Sequence, residues 1–258
     1  MLFRMSFTRV KAAVLALCVA GITGLGVGSA SASPVPLPAN ATLSTLIGLN
    51  ASGGVLIGNF VYSDFAYSPS GTSPSNPTPG AGSVAVSTQS GSFGTNSGLT
   101  FSAGWESTPG ANQDAVISYA VQAVSGTINE VALAFNGVAL VPSAGTFASV
   151  TETISTLITS NNVAVGPGVT LGNLSIINTA SSGIGTYSGP LMINPGQTGV
   201  FVRKDVQLTS GTNGIASISF VDNTYLFASV GPIPEPASIS MLGIAAVGLL
   251  ARRRRGQI

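Results

Sequence analysis

Histidine is absent from this 258-residue chain, and Cys18 is its single cysteine. Without imidazole or a second thiol, zinc sites of the usual ligand types, Cys–His nucleophiles and Ser–His–Asp triads are excluded. No disulfide can form within the chain, so core packing and hydrogen-bond ladders must hold the fold. Charge is scarce as well, at 7% of residues. Seven of the nine basic residues sit near the ends, as Arg4, Arg9, Lys11 and Arg252, Arg253, Arg254, Arg255. Between residues 33 and 231 only Arg203 and Lys204 stand against Asp64, Glu106, Asp114, Glu130, Glu152, Asp205 and Asp222. Two adjacent cations cannot track a phosphate backbone, so a nucleic-acid partner is excluded.

The charges that are present mark out the two ends. Arg4, Arg9 and Lys11 precede an apolar run and a small-residue stretch ending Ala30-Ser31-Ala32. That is the layout of a secretory signal peptide over residues 1–32, with Ala30 and Ala32 as the signal peptidase recognition positions. At the other end, residues 237–251 are uncharged and mostly apolar. Fifteen helical residues reach only about 22 Å, short of the roughly 30 Å hydrocarbon core. The segment is expected to form a single short transmembrane helix, adequate for a transient hold on the membrane. The four arginines set its orientation, keeping the tail cytoplasmic and the body on the far side of the inner membrane.

Pro234-Glu235-Pro236-Ala237-Ser238, the Gly/Ala/Leu-rich segment and Arg252 to Arg255 together resemble the PEP-CTERM sorting signal of exported bacterial proteins. The resemblance covers residues 232–258. It implies a substrate of exosortase, a multi-spanning membrane peptidase, in a bacterium with a Gram-negative type of envelope that makes extracellular polysaccharide. Pro234, Glu235 and Pro236 would be the sorting motif. Signal peptidase and exosortase would be the processing partners, with exopolysaccharide a candidate associate at the envelope, the outer surface or in the extracellular matrix.

Residues 33–231 read as strands. Leu99, Phe101, Ala103 and Trp105 alternate with Thr100, Ser102, Gly104 and Glu106; Val131, Leu133 and Phe135 alternate with Ala132 and Ala134. Val200, Val202, Val206 and Leu208 share a face opposite Arg203, Asp205, Gln207 and Thr209, with Lys204 interrupting the apolar row. Ala216, Ile218 and Phe220 alternate with Ser217 and Ser219. Period two marks half-buried strands of an antiparallel sheet. Further strands are expected at 55–67, 83–88, 115–124, 146–158 and 169–177, separated by Ser-Gly, Asn-Gly and Pro-Gly turns. No helical stripe stands out. The expectation is one all-β ectodomain, an antiparallel β-sandwich with a jelly-roll as the candidate topology. Residues 68–82 carry four prolines and no large apolar side chain, and are expected as an exposed loop.

Two body segments, Gly58 to Tyr67 and Val202 to Thr224, resemble stretches of uncharacterised PEP-CTERM proteins with a single β-rich ectodomain. That group implies architecture and no known activity. Three functions remain open. The first is a non-catalytic structural or matrix-associated surface protein. The second is a carbohydrate-binding or adhesive module, with Tyr62, Phe65 and Tyr67 as candidate exposed aromatics. The third is a glycoside hydrolase, which would need two carboxylates about 5 to 10 Å apart in a cleft. Trp105 beside Glu106 is the nearest hint of one, although adjacent strand residues point opposite ways. No cofactor is implied. Oxygen ligands for calcium could come from Asp222, Asn223, Thr224 and Asp64, without any loop spacing to support them.

Overall fold

The computed structural model describes residues 33–73, 75–90, 97–141, 143–160, 163–179 and 187–228. Their strands are β1 (Val35–Pro36), β2 (Val55–Ile57), β3 (Phe60–Gly71), β4 (Ala85–Ser90), β5 (Ser97–Ser107) and β6 (Asn112–Ala123). They continue with β7 (Thr127–Val141), β8 (Phe147–Ser160), β9 (Val163–Thr179), β10 (Tyr187–Gln197), β11 (Gly199–Thr209) and β12 (Ile215–Ala228). The order is β1-β2-β3-β6-β11-β8-β9 in a seven-stranded sheet and β10-β7-β12-β5-β4 in a five-stranded one. Every pairing is antiparallel except β1 with β2.

From β5 to β12 the chain places each successive strand in the other sheet, apart from the neighbours β8 and β9. The resulting quartets, β5-β12-β7-β10 and β6-β11-β8-β9, have the strand order of an eight-stranded jelly roll. The remaining strands widen its edges: β4 beside β5, and β1 to β3 beside β6.

Alternation produces the core. On β11, Val200, Val202, Val206 and Leu208 are fully buried; on β5, Leu99, Phe101 and Trp105 are. Tyr62, Tyr119, Tyr225, Phe60 and Phe135 supply the remaining large side chains. Core rings meet at centroid distances of 5.6 Å (stacked Phe65–Tyr119, tilted Phe101–Tyr119) to 6.3 Å (tilted Tyr62–Tyr119), a range in which such contacts add to area burial.

Three local expectations are corrected. A helix, α1 (Leu43–Leu49), is present, capped by Thr42 and Thr45 in a reciprocal capping box, with Leu43 and Leu46 buried. At seven residues it is too short to show a stripe, and packing sustains it rather than propensity. Residues 55–67 form two strands, not one, because Gly58, at φ 57°, turns β2 back on β3. Ser68 to Gly71 are not loop but the end of β3, with Pro69 opposite Ala115 of β6. There β2 has already ended, so β3 is an edge, where a strand tolerates proline. The same logic admits β10, a strand the prolines at 190 and 195 concealed, at the edge of its sheet.

The rest of the proline-rich segment is held down. Tyr67 donates to the Pro79 carbonyl at 2.6 Å, Gln113 to the Asn76 carbonyl at 2.8 Å, and Asn76 to the Glu106 carbonyl at 3.0 Å. Among the described residues no helix is long and apolar enough to cross a membrane. The expected signal peptide and C-terminal helix lie outside the described residues.

Candidate functional site

The aromatic trio expected to face a sugar does not do so. Tyr62 and Phe65 are buried, and Tyr67 is half-buried beneath Pro79, accepting a long 3.5 Å contact from the Trp105 indole. A bulge explains the two consecutive inward rings. The β3–β6 register shifts between Ser63 and Ala66, with Asp64 at φ 53°. Asn50 clamps the bulge, accepting from the Phe65 amide and donating to its carbonyl, both at 2.9 Å. Trp105 faces the core and Glu106 lies half-exposed, as expected for strand neighbours.

The acids fall into distinct environments. Asp114 and Asp205 are diagonal neighbours on the outer face of the seven-stranded sheet, close enough for one carboxyl to act on the other. Burial, then the Asp205 charge, pushes the Asp114 carboxyl up, while Arg203 opposes this. Asp64 is raised by burial at its bulge. The suggested calcium ligands diverge, because Asn223 is buried among core side chains whereas Asp222 and Thr224 line the opposite face of β12. No group of three or more acidic or thiol side chains converges among the described residues.

Asp222 sits in a shallow pocket on the outer face of the five-stranded sheet. Ala132 and Ala134 line its floor, and Gln89, Thr224 and the 45%-exposed Tyr187 line its rim. The register builds it: Asp222 lies between Thr100 of β5 and Ala134 of β7, and Ala134 faces Tyr187 of β10. Asp222 is only 8% exposed and its Oδ1 has no hydrogen-bond partner. Burial raises its pKa, opposed by a Thr100 hydrogen bond and the Lys204 charge.

A second polar cluster lies inside the core. Lys204 of β11 faces Glu152 of β8 in register, and Nζ forms an ion pair with Oε2. Glu152 Oε1 accepts from Asn223 Nδ2 of β12 at 2.7 Å. Asn223 Nδ2 also donates to the Ala132 carbonyl at 3.2 Å, and its Oδ1 accepts from the Tyr119 hydroxyl at 2.7 Å. Tyr119 and Tyr225 hydroxyls are 2.8 Å apart. Lys204, Glu152, Asn223, Tyr119 and Tyr225 are all 0% exposed. Burial lowers the pKa of Lys204, against the Glu152 and Asp222 charges, and raises those of Tyr119, Tyr225 and Tyr62. Sequence reasoning missed this cluster. Its signal was two charged residues, Lys204 and Glu152, each at an inward position of an alternating strand.

The sorting residues Pro234, Glu235, Pro236 and Arg252 to Arg255, like Ala30 and Ala32, lie outside the described residues. The family description of the PEP-CTERM protein-sorting motif matches residues 232–255. The chain carries a PEP-CTERM sorting motif. The motif marks an exosortase substrate and implies export to the cell envelope or surface.

No curated protein matches the chain in sequence. Among solved structures, it is similar to TmCBM61 in complex with β-1,4-galactotriose, at 9% identity and TM-score 0.28, over 60% of this chain and 86% of that one. It is also similar to the enzymatically active domain of bacteriophage CBA120 tailspike protein 4, at 13% identity and TM-score 0.19, over 61% of this chain and 19% of that one. A family two carbohydrate esterase from Cellvibrio japonicus matches at 15% identity and TM-score 0.20, over 65% of this chain and 37% of that one.

Proposed function

We propose that this PEP-CTERM protein is a non-catalytic β-domain, delivered by exosortase to the cell envelope or extracellular matrix, where it associates with exopolysaccharide. The observation that carries the reading is the sorting motif at 232–255, joined to a β-rich body. The disposition of the acids supports a non-catalytic role. Asp114 and Asp205 pair on an open sheet face, and Glu152 is engaged by Lys204 inside the core. Neither arrangement leaves two carboxyls flanking a space for a glycosidic bond.

The test compares the host with and without exosortase. The C-terminus is followed by mass spectrometry and the chain by fractionation of the polysaccharide layer. The expected result is a processed chain in the polysaccharide fraction only when exosortase is present. A chain intact through Ile258 and held in the membrane fraction of both strains would sink the proposal.

A carbohydrate-binding module is the second reading, favoured by the Asp222 pocket. An alanine floor admits a flat ring, Tyr187 offers an aromatic wall, and the unpartnered Asp222 Oδ1 can accept a hydroxyl proton. Affinity electrophoresis through gels containing host exopolysaccharide, with dextran as control, tests it. Retardation that is lost in Tyr187→Ala and Asp222→Ala supports the reading; equal mobility in all gels removes it.

A further inference from the structure

We propose that Lys204 and Asn223 become joined by an intramolecular amide bond between Nζ and Cγ, formed by the folded chain itself with Glu152 as the proton-transfer group. The placement is the argument. One carboxylate holds both reacting groups, the amine on Oε2 and the carboxamide nitrogen on Oε1 at 2.7 Å. The carboxamide is oriented from two further sides, by the Ala132 carbonyl on its nitrogen and the Tyr119 hydroxyl on its oxygen. Every participating side chain is 0% exposed, so water is kept from the reacting carbon.

The chemistry balances without any external reagent. Lys204 passes one ammonium proton to Glu152, leaving a neutral amine and a carboxylic acid. The Nζ lone pair attacks Cγ of Asn223, and the negative charge that develops on Oδ1 is met by the Tyr119 hydroxyl, which already donates to that atom. Glu152 gives its proton to Nδ2 and takes one from Nζ. The Cγ–Nδ2 bond then breaks, Cγ=O re-forms, and ammonia leaves. The products are a secondary amide, ammonia and a protonated Glu152, with three fewer donors and no net charge in the core.

Two physical considerations favour this outcome. An amine desolvated in an apolar core is shifted toward its neutral, nucleophilic form, which is the direction burial imposes on Lys204. A buried ion pair left as such is a weak contributor to stability, because desolvation offsets its attraction. The bond would span the core from β11 in one sheet to β12 in the other, a covalent tie in a chain whose sole cysteine precludes an internal disulfide. It depends only on the fold and stands apart from any polysaccharide role.

Denaturing peptide mapping of the full exported chain tests it. In the wild type, trypsin should fail after Lys204, and a second digestion with chymotrypsin, which cuts between the two residues at Phe220, should release a branched peptide containing Lys204 and Asn223, lighter than its linear parts by one ammonia. Glu152→Ala should restore cleavage after Lys204 and abolish the branched peptide, as should Glu152→Gln if the alanine variant fails to accumulate. A wild-type map with Lys204 unmodified overturns the proposal. So does ammonia loss confined to Asn136-Gly137 or Asn213-Gly214 with Lys204 free. A branched peptide that persists in both Glu152 variants overturns the role given to Glu152.

Discussion

Glu152 and Asn223, 71 residues apart in sequence and on strands of different sheets, are hydrogen-bonded Oε1 to Nδ2 at 2.7 Å in the core. Lys204 occupies the other carboxylate oxygen, so one buried acid links three strands. Polar groups this deep must be satisfied as a set, because removing one strands the others.

The first prediction follows from that coupling. Glu152→Ala leaves the Lys204 ammonium buried without a partner, and should destabilise the protein by about 3–5 kcal/mol. The double variant Lys204→Met with Glu152→Leu removes both charges and should be clearly more stable than the single one. Urea midpoints decide it. Equal midpoints for single and double variants would mean the ammonium is not stranded.

Two core tyrosines should respond oppositely to loss of a hydroxyl. Tyr62 is fully buried with its hydroxyl unpartnered, so Tyr62→Phe should stabilise by about 1 kcal/mol. Tyr119→Phe strips a donor from Asn223 and a partner from Tyr225, and should destabilise by a similar or larger amount. Thermal unfolding of the two variants measures the sign, and a fall in Tm for Tyr62→Phe would contradict the assignment.

Stability should rise, not fall, as the pH drops into the mildly acid range. Burial raises Asp64, Asp114 and Asp222 above the ordinary 3.8. Between 3.8 and those raised values the folded chain binds more protons than the unfolded one, so acidification favours folding until the unfolded carboxyls also protonate. With no histidine to titrate, the profile from pH 8 to 6 should be flat. Asp222→Asn should raise Tm at pH 7 and shrink the acid-side rise. A Tm that declines steadily below pH 6 would refute this.

Two glycines on β5 form a matched pair. A Cβ at Gly98 would run into the backbone carbonyl of Asn223 on β12, whereas a Cβ at Gly104 would meet nothing within 4 Å. Gly98→Ala should therefore cost about 2–3 kcal/mol by forcing the strands apart. Gly104→Ala should be neutral or stabilising by about 0.5 kcal/mol, through the unfolded chain. Chemical denaturation of both variants checks the contrast, and similar midpoints would show that β5 yields at residue 98.

Much of the architecture was legible because side-chain direction in a strand repeats every two residues. The alternations at 99–106 and 200–209 became β5 and β11 with the expected faces inward. Pro190 and Pro195 hid β10, since proline reads as a break unless one knows the strand lies at an edge. Tyr62 and Phe65 are candidate exposed aromatics by sequence, and the Asn50-clamped bulge lets both rings point inward instead.

The sequence by itself determined the chemistry that is unattainable here, the sorting tail at 232–255 and the period-two pattern of the body. These depend on which residues are present and on neighbours a few positions away. Only the tertiary structure decided that Lys204 answers Glu152, that Asn223 arrives from the facing sheet, and that Asp222 opens on the other side of the same strand. Local pattern assigns a residue to a face; which strands pair, and in what register, is settled by contacts between distant segments that no local pattern encodes.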